Sequence, residues 1–380
     1  MMKPSQHRFG FLRLVRVFIL IAAAPLICKA DENFPAASWL REAHKDEAFT
    51  AVFRQTNHWA AGDVATTIPL TDGRVLWLFG DSYINQFDPA SGTLPGLFNA
   101  RNAILLQNTN DLMHPQTLCH FESRDKSFFR PPISGSPEIW PCFWPGDGFQ
   151  SGNTVYVYLT EMQKTPAGGM WGFKAIGRYW AKMSFPELKV TGYKELPSFN
   201  GISFGCGFVR DAQNGFTYAF GDRHHGIGSD VFVARFQTKN PEGDWSFWDG
   251  KNWDVNVTNA AVIAEGASIS VNICKVKDKF LLVTTAFSVA CDQGKEISVS
   301  TSDRPTGPFS PRKNIFIVDD TVEGHHPFFY LAEAHPEFIN DDGLLITYCI
   351  NGYEPCVPNT VNGRMNPDYY RPRAIRLPLR

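Results

Sequence analysis

The chain has 380 residues, with 36 basic against 38 acidic side chains and a formal net charge of −2. That balance removes the electrostatic case for nucleic acid or an anionic membrane surface as a partner. Aromatic residues make up 14% of the chain, including 10 Trp and 31 Phe, which suits a β-rich core and surfaces on which sugar rings stack.

Lys3, Arg8, Arg13 and Arg16 precede an apolar run from Val17 to Ile27 that is too short to span a bilayer. Cys28-Lys29-Ala30 then supplies small residues where a signal peptidase reads. Residues 1–30 are therefore expected to be a signal peptide cleaved after Ala30. Residues 31–380 would form a single domain, secreted or periplasmic. Cys28 as a lipidated cysteine is the second choice, because Ile27 before it is bulkier than that chemistry favours. No other segment is apolar for long enough to cross a membrane. Beyond Cys28 lie Cys119, Cys142, Cys206, Cys274, Cys291, Cys349 and Cys356. Export permits disulfides, and Cys349 with Cys356 or Cys274 with Cys291 are near enough in sequence to pair, the odd number leaving at least one thiol free. No CxxC spacing occurs, so a zinc site built on cysteine is not expected. Asn256-Val257-Thr258 is a glycosylation sequon.

One helix is expected, around Ala37 to Glu47. Strand patterns divided by turn signals follow. Ala65–Leu70, the turn Thr71-Asp72-Gly73 and Arg74–Phe79 read as a hairpin, and Asn102–Gln107 as a third strand. After a Pro- and Phe-rich connection from Cys119 to Gly146, a second group carries WPGDGFQSGNTVYVYLTEM, Arg178–Met183 and Lys189–Lys194. The third holds Ser203–Val209, Gly215–Phe220, Asp230–Gln237 and Trp245–Trp253. The fourth holds Ser268–Val276, Lys279–Ala286 and Glu296–Thr301, and the fifth Ala332–Ile339, Leu344–Ile350 and Arg373–Leu379. Groups recurring at roughly 60–70 residues, each a Gly-rich strand followed by a very apolar one, suggest blades. The expectation is an all-β, five-bladed β-propeller, with a β-sandwich as the alternative.

The first hairpin carries the most suggestive chemistry. Asp63 stands just before its first strand and Asp81 just after its second. In an antiparallel hairpin those positions share one rim of the sheet. Two acids at one rim, near Trp59 and Tyr83, are what acid/base work on a glycosidic bond needs. Asp beside Gly is also ordinary turn chemistry, so either could simply cap a loop.

GDVATTIPLTDGRVLWLFGDS, WPGDG, DRPTGPF and EAHPEFINDDGLLITYCINGY together resemble a group of exported five-bladed propellers of the domain-of-unknown-function 4185/5005 type. That group is related in architecture to arabinanases, invertases and levansucrases, and some relatives are endo-acting D-arabinanases. The resemblance covers most of the chain after residue 50. It implies a glycoside hydrolase acting on a furanose-containing or similar polysaccharide, with Asp63 at the first-blade base or nucleophile position, Asp81 as the second acid of the hairpin and Asp147 opening the second blade. It departs at the third blade, where arabinanases carry a glutamate acid. Phe204-Gly205-Cys206-Gly207 has no carboxylate there, so Asp81 becomes the candidate proton donor. The implied partner is a poly- or oligosaccharide bound by a monomer. No cofactor is required, and an axial calcium stays open.

Further candidates for contact with sugar are Trp59, Arg101, Asn102, Trp144, Phe204, Arg223, His224 and His335. Each has a structural alternative: core packing for the aromatics and His335, a solvated strand end for Arg101 and Asn102. Two rival functions remain. Phe79-Gly80-Asp81-Ser82 and Asp222-Arg223-His224-His225 resemble the blocks of a GDSL esterase, with Ser82 as nucleophile, His225 as base and Asp222 orienting it. The β–α alternation of that fold is missing, however. A propeller that binds glycans without cutting them is the other.

Overall fold

A computed structural model describes residues 40–379 apart from 109, 133–139, 169–171, 289–293 and 354–355. The expected signal segment and Cys291 lie outside the described residues. The inner strands of five sheets, Trp59–Pro69, Cys142–Ser151, Ser203–Asp211, Val271–Val276 and Phe328–Asn340, stand side by side in a closed ring, the fifth touching the first. Each opens an antiparallel sheet running outward, so these are the five expected blades. Blade 1 continues with Val75–Ile84, Ala103–Asn108 and Asp111–Leu118. Blade 2 continues with Thr154–Lys164, Phe173–Ser184 and Val190–Glu195. Blade 3 adds Phe216–His225, Gly228–Gln237 and the short strands Trp245–Trp248, Trp253–Asp254 and Ala264–Gly266. Blade 4 adds Lys279–Thr285, Glu296–Ser302 and Lys313–Ile317.

Blade 5 closes the ring. Gly343–Asn351 and Arg373–Leu377 extend it, and its outer strand, His44–Lys45, comes from the other end of the chain, with His44 opposite Arg376 and Lys45 opposite Ile375. This corrects the expected helix over 37–47. Residues 44 and 45 lie along an otherwise open strand edge, and the helix begins later, as Glu47–Thr50 followed by a 3-10 turn, Ala51–Phe53. Asp46 caps it, its Oδ1 accepting from the Phe49 N–H at 2.8 Å. Covering the edge outweighs the local helical preference.

The strand reading works because blades cover each other on both faces, so second strands such as Val75–Ile84 and Gly343–Asn351 are buried nearly throughout. Five hydrophobic clusters fill the spaces between neighbouring blades. Trp77 anchors the one between blades 1 and 5, packed on Phe53 and Phe338, and its indole N–H donates to Gln107 Oε1 at 2.7 Å. Burying each large apolar side chain contributes on the order of 1.5–3 kcal/mol.

Cys274 and Cys349 are free thiols while Cys356 is disulfide-bonded, so neither suggested bridge, 349–356 nor 274–291, is formed. Among the described residues no helix is long and apolar enough to cross a membrane.

Candidate active site

Asp63 and Asp81 meet. In the register of the first hairpin Gly62 lies opposite Ser82 and Val64 opposite Phe79, with a bulge between, which leaves Asp63 facing Gly80 and Asp81. The bulge forces positive φ on two consecutive non-glycine residues, Val64 (78°) and Ala65 (60°). A β-branched residue rarely adopts that conformation, so the backbone is strained where it aims Asp63.

Asp63 Oδ2 accepts from the hydroxyls of Tyr370 at 2.9 Å and Tyr330 at 3.1 Å. Burial pushes its carboxyl up to about 6, against those hydroxyls, which favour the ionised form. Asp81 takes both its oxygens to Arg101 Nη1, at 3.3 and 3.1 Å. The guanidinium is held over the rings of Trp140 (4.1 Å) and Phe98 (4.7 Å). Arg101 alone would keep Asp81 ionised, but burial outweighs it and the neighbouring Asp63 charge adds to burial, pushing Asp81 up to about 7. Trp144 favours the ionised Asp81, although its buried Nε1 meets no acceptor in hydrogen-bond geometry. The pair can therefore hold one proton near neutrality, on Asp81 before Asp63.

Asp147 stands apart from this pair. Its oxygens accept from the Gly148 N–H at 2.6 Å and the Phe208 N–H at 2.7 Å, and it lines a cavity of about 510 Å³ with Glu333 and Glu337. The walls come from all five inner strands, with residues such as Thr66, Phe208 and Glu337; Asp63 and Asp81 are not among them. The axial cavity thus lies beyond the aspartate pair, toward the ends of the inner strands. Burial pushes Asp147 up to about 7, with the Glu337 charge adding to it. Glu333, whose Oε2 accepts from Asn272 Nδ2 at 2.6 Å, is driven well above the usual carboxylate range by burial and then by Asp147. A carboxyl raised by folding costs nothing below its unfolded value, and the cost grows as pH rises from there toward its folded value. Glu333→Gln keeps an acceptor for Asn272 and removes that penalty. It should raise Tm at pH 8 by an amount corresponding to roughly 1–3 kcal/mol, at about 2–4 °C per kcal/mol, and leave it unchanged at pH 4. Thermal melts at the two pH values check this.

Several expected contacts with sugar are structural instead. Trp59 is wholly buried, packed on Phe79 at 4.5 Å with the rings tilted and its Nε1 donating to Ser82 Oγ at 3.3 Å. Phe204 is buried in the cluster between blades 2 and 3. Asn102 spends its amide on the Phe129 and Phe143 carbonyls and on the Phe129 N–H. His335 lies with both ring nitrogens on hydroxyls, Thr67 Oγ1 at 2.7 Å and Thr347 Oγ1 at 2.8 Å; burial drives it down to about 3, so it is neutral. In each case the ring closes around the residue and no face is left for a ligand. Arg223 pairs with Asp230 at 3.5 Å and covers Phe232, and His224 lies half-exposed, 2.7 Å from Asp222 Oδ2. Arg101 and Trp144 alone of the named contacts adjoin the aspartate pair. Tyr330 and Tyr370 escaped sequence reading because they reach Asp63 from blade 5 and from the segment before the last strand. Among the described residues, no group of three or more His, Cys, Asp or Glu is arranged to hold a metal ion.

Ser82 is fully buried, its hydroxyl donating to the Gly80 carbonyl at 2.8 Å, while His225 lies in blade 3 near Asp230. The nucleophile–base contact an esterase needs is not made.

A candidate hydrolase from Bacteroides ovatus has a similar solved structure, at 19% identity and TM-score 0.67, covering 92% of this chain and 97% of that one. The GH43 protein of Bacillus licheniformis matches at 13% identity and TM-score 0.46 over 88% of this chain and 54% of its own. An exo-β-1,3-galactanase from Phanerochaete chrysosporium matches at 11% and 0.44, over 84% and 62%. The chain thus spans little more than half the length of these last two. No curated protein matches the sequence. From residue 46 to residue 378 the chain matches the family described as Domain of unknown function (DUF5005), and it belongs to that family.

Proposed function

We propose that this protein is an exported glycoside hydrolase that cleaves a furanose-containing or similar polysaccharide, with Asp63 as base or nucleophile and Asp81 as proton donor. One observation carries the reading: two buried carboxyls share one rim, both raised, with different partners. Neutral tyrosine hydroxyls hold Asp63 for the ionised role, and a crowded, buried setting keeps a proton on Asp81. Arg101 then fixes the direction in which Asp81 points, and Trp144 stands beside that carboxyl. Cleavage needs no bound cofactor. The mature monomer would work outside the cytoplasm.

The test is release of reducing ends from a panel of polysaccharides, with the anomer of the first product read by NMR. Retention corresponds to a carboxyl separation of roughly 5–5.5 Å and inversion to roughly 6.5–9.5 Å. Ser82→Ala should keep kcat within about twofold, since Ser82 only supports Gly80 and Trp59; a collapse of activity in that variant would revive the esterase. A glycan-binding propeller without catalysis remains the second reading, favoured by the missing third-blade glutamate. Retention on a glycan array with no product from any ligand retained would decide for it.

A further inference from the structure

The rim that carries Asp63 and Asp81 continues outward across blade 2. Trp144 on the inner strand lies opposite Thr160, and Thr160 opposite Arg178 on the third strand. Directly opposed residues of antiparallel strands share a face, so the three form a row. Trp180, two residues on from Arg178, packs into the cluster between blades 2 and 3, and that periodicity turns Arg178 toward blade 3 as well. Two strand spacings separate it from Trp144, about 10 Å, or one to two sugar units from the aspartate pair.

Among the described residues Arg178 has no counter-ion. Its Nη1 donates to the carbonyl of Gly177 at 3.0 Å, its Nε is buried with no acceptor, and it makes no ion pair among the described residues. The cations around it are accounted for. His224, near enough across the blade boundary to feel its charge, pairs with Asp222, and Arg223 and His225 pair with Asp230. Among the described residues the rim also holds a further buried donor without an acceptor, Arg101 Nε. A half-buried guanidinium left unpaired beside an unused donor is costly unless a ligand supplies oxygens.

We propose that Arg178, with His224 beside it, forms a subsite for an anionic substituent, a carboxylate or a sulfate ester, on a saccharide whose neighbouring units reach Asp63 and Asp81. The substrate class is then an acidic polysaccharide. This rests on the hydrolase reading and narrows it. Arg is suited to the task because its planar fork meets two oxygens of a carboxylate or sulfate at once.

The test uses the mature chain carrying Asp63→Asn, which binds without turnover, and calorimetry with three tetrasaccharides: a galacturonan, a sulfated galactan and a neutral galactan. At least one acidic ligand should bind ten-fold or more tightly than the neutral one, and the advantage should shrink as salt is added. Arg178→Gln should erase that advantage while leaving the neutral ligand unchanged, and Arg178→Lys should keep part of it. Whether the galacturonan or the sulfated galactan gains identifies the source of the charge. Melting curves establish that the variants are folded, and His224→Gln, at a half-exposed site, gives an independent partial loss. Equal affinity for acidic and neutral ligands, or an advantage that survives Arg178→Gln, overturns the subsite. If wild type releases reducing ends from neutral polysaccharides and no acidic ligand is preferred, the subsite fails and the hydrolase stands. If nothing binds and nothing is released, both fail.

Discussion

Asparagine in place of Asp63 or Asp81 should cut kcat by about 10²–10⁴-fold with the fold intact, measured as reducing ends released per second. The Tyr330 and Tyr370 hydroxyls can still donate to an asparagine oxygen, so Asp63→Asn loses charge and little geometry. It should melt no lower than wild type at neutral pH, because a buried charge has gone. In the wild type, kcat/KM should follow a bell. Activity rises as Asp63 ionises near 6 and falls as Asp81 loses its proton near 7, so the optimum is narrow. An Asp63→Asn variant that retains full activity would remove the proposed mechanism.

Gly80→Ala should be nearly as damaging, although it touches no substrate. A Cβ at position 80 would lie 2.4 Å from Asp63 Oδ1 and 3.0 Å from Val64 Cγ2. One of them has to move, and Val64 is already held at positive φ by the bulge. The carboxylate is the part free to shift. A displacement near 1 Å costs on the order of 10²-fold in kcat, and KM should change little if the saccharide is held mainly by groups outward on the rim. Steady-state kinetics on Gly80→Ala, with a melting curve for folding, separates this from plain destabilisation. Undiminished kcat would mean that the Asp63 position does not set the rate.

Local pattern carried a good deal. Alternating and continuous apolar runs marked the inner strands of each blade, since a propeller builds each blade from neighbours in sequence and its turns are announced by residues such as Asp72-Gly73, while the more exposed outer strands Asp111–Leu118 and Lys313–Ile317 carried no such run and were missed. The first hairpin placed Asp63 and Asp81 together for the same reason: both lie in one local unit, and a tight turn dictates which ends meet. The helix was misplaced by several residues because residues 44 and 45 take their conformation from Ile375 and Arg376, at the far end of the chain.

What the sequence determined by itself was therefore most of the inner blade strands, the five-fold grouping and the meeting of two carboxyls across one turn, all consequences of short-range geometry. What only the tertiary structure decided was which side chains the closed ring exposes. It buried Trp59, Asn102 and His335, drew Asp147 to Glu333 in the axial cavity, brought Tyr330 and Tyr370 to Asp63, and left Arg178 with no counter-ion among the described residues. Burial and long-range hydrogen bonding depend on how blades distant in sequence pack around a common axis, and composition and periodicity hold no record of that packing.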